Sequence, residues 1–156
     1  MRTPSRTAIS LLALCALTAT ACSRLGPPIA VMGEKGDVHQ LVGVWRGEYH
    51  GDESGRTGTI EFVLERDEVL AHGDVVMRMP GGTVINLRIR FVRTEGNTVT
   101  GRLEHYKDPQ CNCMVETEFV GEIQGSMMVG TFTTRGVDRD LLYRGHWTAR
   151  KTDTTI

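Results

Sequence analysis

From residue 41 onward, the sequence alternates apolar and polar side chains in short runs that are separated by residues typical of tight turns. No stretch of this region places apolar residues at positions i, i+3, i+4 and i+7 over the length of a helix. A period of two residues predicts strands, so the chain is expected to be all-β. The predicted strands cover residues 42–50, 57–65, 72–79, 83–93, 98–106, 113–123, 127–134 and 141–150.

These strands have one apolar and one polar face. Ile60, Phe62 and Leu64 alternate with Glu61, and residues 85–91 repeat the pattern. This is typical of an antiparallel sheet with solvent on one side. Strands in sequence order leave two free edges unless the first strand pairs with the last. The sequence therefore predicts an eight-stranded antiparallel up-and-down barrel, with a β-sandwich as the alternative.

The first 22 residues have the layout of an export signal. Arg2 and Arg6 supply the positive start, residues 8–16 form an apolar run, and small residues follow. The run is too short to remain as a membrane span, which needs about 20 apolar residues. The last four residues, ATAC, resemble the lipobox of bacterial lipoproteins, which implies cleavage before Cys22 and its modification with fatty-acyl chains such as palmitate. The alternative is ordinary signal cleavage, which leaves Cys22 as a free thiol.

This signal divides the chain into four predicted parts. They are a signal peptide at 1–21, the lipidated cysteine with a flexible linker at 22–40, a β-barrel domain at 41–151 and a tail at 152–156. Two prolines and three glycines between residues 23 and 40 favour a flexible linker. Ser23 follows the cysteine where inner-membrane lipoproteins often carry Asp, so resemblance to that sorting pattern implies the outer membrane, with the domain facing the periplasm.

The charge of the chain argues against nucleic acid as a partner. Removal of residues 1–21 takes away two arginines and no acidic residue, which leaves 16 basic and 19 acidic side chains and a formal net charge of −3. Domains that bind nucleic acid typically carry clustered Lys and Arg. The expected partners are the membrane, through the lipid anchor, and a small hydrophobic ligand or another envelope protein.

Two Gly-x-Trp sequences mark the first and last predicted strands, at residues 43–45 (GVW) and 145–147 (GHW). The first is similar to the Gly-x-Trp of the lipocalin and calycin barrels. That resemblance implies a lipocalin-like barrel in which Trp45 packs across the floor. It also implies that a late arginine, Arg144 or Arg150, covers the indole.

Barrel closure favours an aromatic seam independently of this resemblance. The first and last strands become neighbours, and their aromatic side chains fall on one face. Gly47 and Gly145 are expected to leave room for the indoles. The predicted barrel floor consists of Trp45, Tyr49, Tyr143 and Trp147.

Residues 41–48 (LVGVWRGE) also resemble the start of the nitrobindin-type haem barrels. This resemblance implies an iron-binding histidine near the C-terminus, and His146 is the residue that fits. By strand parity, however, His146 lies on the face opposite Trp147 and points to solvent. Haem is therefore kept as a minor alternative, and no other cofactor is predicted apart from the soft metal considered next.

Cys111 and Cys113 flank Asn112 at the tip of a predicted hairpin. One interpretation is a disulfide that tightens the turn, in keeping with an oxidising compartment. A second is a site for Cu(I) or Zn(II), because folding about Pro109 brings His105 opposite Cys113 with all three ligands at the same strand parity. The third is two free thiols without a role.

The sequence contains no nucleophile, zinc-protease or phosphate-loop motif, so no enzyme is predicted and no catalytic residue is assigned. The predicted function is a small binding module with an apolar pocket inside the barrel. The predicted lining is Phe62, Leu87, Phe91, Leu103 and Phe119. The alternative is a structural or envelope-assembly protein whose barrel is filled by its own side chains.

Overall fold

The computed structural model describes residues 28–65, 70–79 and 82–152. Cys22, the predicted signal peptide and residues 153–156 lie outside the described residues. The helix at Lys35–Gln40 has six residues, and none of the described helices is long and apolar enough to cross a membrane. The elements are β1 Ile29–Met32, α1 Lys35–Gln40, β2 Gly43–Gly51, β3 Thr57–Leu64, β4 Leu70–Arg78, β5 Val84–Glu95, β6 Thr98–Leu103, β7 Tyr106–Asp108, β8 Cys113–Gln124, β9 Met127–Gly136 and β10 Leu142–Thr152.

The sheet closes into a barrel. Strands β2 to β6 follow one another, β6 pairs with β8, and β8, β9 and β10 continue the ring. Closure occurs between β10 and β2, where Trp147 is opposite Tyr49 and Ala149 is opposite Gly47. The predicted barrel, with its first and last predicted strands paired, is confirmed, and the sandwich does not form.

The predicted count of eight strands is wrong, because β1 enters the sheet as a ninth. β4 and β5 pair directly only where residues 74–78 face residues 84–88, next to the turn that joins the two strands. Where they separate, β1 lies between them, antiparallel to β4 and parallel to β5. Ile29 and Val31 point inward and are buried. Four residues give too short an alternation to predict a strand from sequence, yet backbone hydrogen bonds on both sides hold this one in place.

The helix α1 also lies in the region predicted to be a flexible linker. Its Val38 packs against the core, and its Asp37 carboxylate accepts a hydrogen bond of 2.7 Å from the backbone N–H of Gly96 in the β5–β6 turn. Gln40 donates a side-chain hydrogen bond of 3.3 Å to the carbonyl oxygen of the same glycine. Residues 29–40 therefore belong to the folded domain, and the linker prediction does not hold for them.

Two irregularities reverse the predicted alternation. A β-bulge lies between Ile89 and Phe91, so the inward positions of β5 change from Leu87 and Ile89 to Val92 beyond the bulge. A second break, between β6 and β7, turns Tyr106 toward the interior. Each break adds an odd number of residues to the alternation, which exchanges the two faces of the sheet.

The barrel has two ends that are closed by different elements. At the helix end lie α1 and the β5–β6 and β8–β9 turns. At the loop end lie the β2–β3 and β9–β10 turns and the loop between β7 and β8.

Candidate functional site

The barrel interior contains a cavity of about 90 Å³ whose walls are almost entirely apolar. A single water occupies roughly 30 Å³ in the liquid, so the space is larger than one water molecule. Four of the five predicted lining residues border it: Phe62, Leu87, Leu103 and Phe119. Phe91 does not, because the bulge in β5 directs it to the outer side of the sheet.

Beside the cavity, large aromatic rings pack directly against glycine residues of neighbouring strands. A Cβ atom on Gly130 would lie 2.6 Å from the Trp147 indole, and one on Gly121 would overlap the same ring. The indole N–H donates to the carbonyl oxygens of Val120 and Thr131, at 3.3 and 3.2 Å. The prediction that Gly47 and Gly145 make room for the indoles is therefore wrong.

Gly47 and Gly145 serve other close approaches. Gly47 faces the backbone of Thr148 and Ala149 in β10, and Phe132 lies against Gly145. Each of these strand glycines permits a close contact, one with backbone and one with an aromatic ring, that a Cβ atom would prevent.

The four aromatic residues predicted as one barrel floor are spread along the barrel. Trp45 lies opposite Lys151 at the helix end, and Tyr49 and Trp147 are opposite each other further along β2 and β10. Tyr143 lies beyond them at the loop end, under the Arg56 guanidinium, whose carbon is 5.2 Å from the ring centroid. The predicted single floor is therefore wrong.

At the helix end, Trp45 is fully buried and its indole N–H donates to the carbonyl oxygen of Leu41 at 2.9 Å. The Lys151 ammonium lies 5.3 Å from the centre of the indole ring, a distance at which a cation is attracted by the ring face. Arg144 and Arg150, which the family resemblance suggested for this role, are exposed on the outer face. Lys151, which follows Arg150 and lies on the opposite face of β10, covers the Trp45 indole instead.

At the loop end, a buried ion pair joins Arg56 of the β2–β3 turn to Asp108 of β7. Two guanidinium nitrogens lie 2.9 and 2.7 Å from the two carboxylate oxygens, and both side chains are at least 96% buried. The guanidinium also donates to the side-chain oxygen of Gln110 at 2.7 Å. Sequence reasoning missed this pair, since its two members lie in separate turns 52 residues apart.

The loop that presents Asp108 and Gln110 also carries the cysteines. Cys111 and Cys113 form a disulfide, with their Cα atoms 5.2 Å apart. Asn112 between them adopts a left-handed backbone with φ of 53°, a conformation that asparagine tolerates better than most residues. The disulfide thus constrains the same turn that holds the Arg56 charge.

The proposed soft-metal site does not assemble. Both thiols are in the disulfide, and His105 is exposed, with its Nε2 atom 3.3 Å from a carboxylate oxygen of Glu116. Within residues 28–65, 70–79 and 82–152, no group of three His, Cys, Asp or Glu side chains is arranged to hold a metal. The reason is the break before β7, which gives Tyr106 rather than His105 the inward position.

Four of the residues that line the cavity carry hydroxyl groups. The Thr117 and Thr134 hydroxyl oxygens are 2.7 Å apart, and the Tyr106 hydroxyl is 3.4 Å from that of Thr117. The buried Tyr49 hydroxyl has no hydrogen-bond partner among the residues that the structure describes. Thr117 and Thr134 stand at positions of β8 and β9 where the alternation calls for an apolar residue. This feature of the sequence could have indicated that their polar groups point inward.

Burial raises the pKa of the Tyr49 hydroxyl, Tyr106 raises it further, and the charge of Arg56 acts in the opposite direction. Burial likewise raises the pKa of Tyr106, while a hydrogen bond from Thr117 lowers it. Both phenols therefore stay protonated at neutral pH, and both are hydrogen-bond donors.

The outer face carries the remaining charged groups. The His146 ring lies 2.9 Å from a carboxylate oxygen of Asp52, on the face away from the cavity, and a porphyrin does not fit a cavity of about 90 Å³. His146 is therefore not placed to bind a haem inside the described part of the barrel. Arg102 forms ion pairs with Glu116 and Glu118, in an exposed ladder of the kind that antiparallel sheets commonly carry.

The sequence matches no protein-family model, and it matches no curated protein. The candidate site therefore stands on its own geometry.

Proposed function

We propose that this protein is an exported lipoprotein, anchored through Cys22 to the outer membrane and facing the periplasm, whose barrel binds a small hydrophobic ligand. The observation that carries the binding function is the apolar cavity of about 90 Å³ inside the barrel. A barrel filled by its own side chains leaves no such space, so the cavity favours a binding module over a purely structural protein.

The volume limits the size of the ligand. An apolar cavity of about 150 Å³ holds benzene, so a ligand that enters without rearrangement is smaller than benzene. A probe with five carbon atoms gains about 4 kcal/mol from burial, at roughly 0.8 kcal/mol per methylene. This corresponds to a dissociation constant of about 1 mM.

Xenon binding to the barrel domain tests whether the cavity takes a ligand. Xenon enters small apolar cavities, and its binding is read from chemical-shift changes of the surrounding amides. The expected result is saturable shifts confined to residues that line the cavity. Val99→Phe, which fills the cavity from its wall, should abolish them.

Val120→Phe is the matched control. Val120 is 45% exposed and points away from the cavity, so the same increase in size should leave xenon binding unchanged. Absence of xenon shifts in the unaltered protein would refute the binding function and favour the structural alternative.

The anchor has its own test. Cys22→Ala should abolish labelling of the protein by a fatty-acid analogue in cells and release it from the membrane fraction. Labelling that persists in this variant would contradict the lipoprotein assignment without bearing on the cavity.

A further inference from the structure

The polar groups of the cavity are gathered at one of its ends. Tyr49 lies two residues before the loop end of β2, and Thr117 and Thr134 are paired two residues before the loop end of β9. Tyr106 is opposite Val115 in the same half of the barrel. The cavity is therefore apolar toward the helix end and carries hydroxyl groups toward the loop end.

The Tyr49 hydroxyl stands out among these groups. Tyr49 is only 8% exposed, its hydroxyl oxygen is buried, and no atom of the described residues accepts its hydrogen bond. The two threonine hydroxyls bind each other, and Tyr106 lies near Thr117. Because a buried donor without an acceptor is unfavourable, the position calls for an acceptor that comes from outside the protein.

We propose that the ligand is a small, uncharged molecule with an apolar body and one oxygen acceptor, bound with that oxygen on the Tyr49 hydroxyl at the loop end. This inference rests on the proposed binding function and specifies its ligand class. Aldehydes, ketones and ethers of about five non-hydrogen atoms have this chemistry, at the size that the cavity volume sets.

The charges at the loop end argue against an ionic ligand. The Arg56 guanidinium is held by Asp108 and Gln110, so its charge is already compensated. The Asp108 carboxylate is in turn compensated by Arg56 and is not offered to an ammonium group. A carboxylate or an amine entering the cavity would lose its hydration without a counter-charge, which is strongly unfavourable.

Two probes of nearly equal shape distinguish a hydrogen bond from the Tyr49 hydroxyl from burial of apolar surface alone. Cyclobutanone carries a carbonyl oxygen where methylenecyclobutane carries a CH₂ group, so the two differ in the acceptor alone. Both are titrated into the barrel domain and followed by amide chemical shifts. Tyr49→Phe should weaken cyclobutanone binding about tenfold, the value of one hydrogen bond. The same variant should leave methylenecyclobutane binding within twofold of its original value.

Tyr143→Phe is the matched control, since Tyr143 lies at the same end but does not border the cavity. It should leave the affinity for both probes unchanged. Equal weakening of both probes by Tyr49→Phe, or no weakening of cyclobutanone, would overturn the proposal.

The carbonyl stretching band of bound cyclobutanone provides a second measurement, which does not depend on any variant folding. A hydrogen bond from Tyr49 should shift the band to lower wavenumber than in hydrocarbon solvent, and an unshifted band overturns the proposal. Failure of cyclobutanone to bind, when xenon does bind, also overturns it but leaves the binding function intact. Failure of xenon itself removes the binding function on which the proposal rests.

Discussion

The helix end and the loop end of the barrel are held together by opposite means. At the helix end, Trp45 is packed among apolar side chains and its one polar atom bonds to the nearby Leu41 carbonyl. At the loop end, the Arg56–Asp108 ion pair bridges two turns that are distant in sequence. Small changes in apolar packing reduce stability by small amounts, whereas a buried charge becomes strongly unfavourable when its counter-charge is removed. The loop end is therefore the end at which a single change should both destabilise the protein and open the cavity.

Removing one member of the ion pair should produce the largest effect. Asp108→Ala leaves the Arg56 guanidinium buried without a counter-charge, and we expect the free energy of unfolding to fall by about 3–5 kcal/mol. Urea denaturation measures this change. Xenon exchange, measured by saturation transfer, should become faster in the same variant.

Glu61→Ala is the control for Asp108→Ala, because the Arg46–Glu61 pair has a similar distance of 2.7 Å but is exposed to solvent. Its effect should lie below about 1 kcal/mol, as is usual for surface pairs. If Asp108→Ala is as mild as Glu61→Ala, the distinction drawn between the two ends is wrong.

A change at the helix end should affect stability alone. Trp45→Phe removes part of a fully buried ring and its hydrogen bond to Leu41, for an expected loss of about 2–3 kcal/mol. Xenon exchange should remain at its original rate, since the loop end is untouched. Faster exchange in Trp45→Phe than in Asp108→Ala would show that ligand enters at the helix end instead.

The disulfide should contribute less than the ion pair that it supports. It closes a ring of only three residues, for which chain entropy predicts a stabilisation of about 1–2 kcal/mol. Replacing both Cys111 and Cys113 with Ser should lower the unfolding free energy by this amount, measured in urea. A reducing agent should have the same effect on the original protein and none on the variant. A reductant effect that persists in the variant would place the sensitivity elsewhere.

The strands were predictable from sequence because each carries several cycles of a two-residue period. The pairing of the first predicted strand with the last followed from closing those strands into a ring. Four of the five predicted lining residues border the cavity for the same reason. Phe91 was not, because the bulge in β5 shifts the period by one residue and leaves no mark in the composition.

The ninth strand and the ion pair at the loop end were less predictable. β1 has only four residues, too few to show a period, and its role depends on the space that β4 and β5 leave between them. Arg56 and Asp108 each read as ordinary polar turn residues, since only the folded barrel brings their turns together. Local pattern thus predicts the longer strands of this barrel, while long-range contacts decide the ninth strand and the ion pair at the loop end.

The smallest expected effect is a loss of stability in alkaline solution. Burial raises the pKa of Tyr49 above its ordinary value near 10, so the folded state retains a proton that the unfolded state releases. The stabilisation is complete below pH 10 and is lost as the pH rises above it. At pH 10.5 the free energy of unfolding should fall by at most about 1 kcal/mol through Tyr49. Screening of the phenol by solvent reduces this amount.

Denaturation series from pH 9 to pH 10.5 measure this loss, and Tyr49→Phe should make the decline shallower by the contribution of one phenol. Tyr143→Phe is the control, because it removes a half-buried phenol at the same end that does not border the cavity. Equal slopes for the Tyr49→Phe variant and the original protein would mean that the Tyr49 phenol is not shielded from water. That result would also count against its role as the unpartnered donor at the loop end.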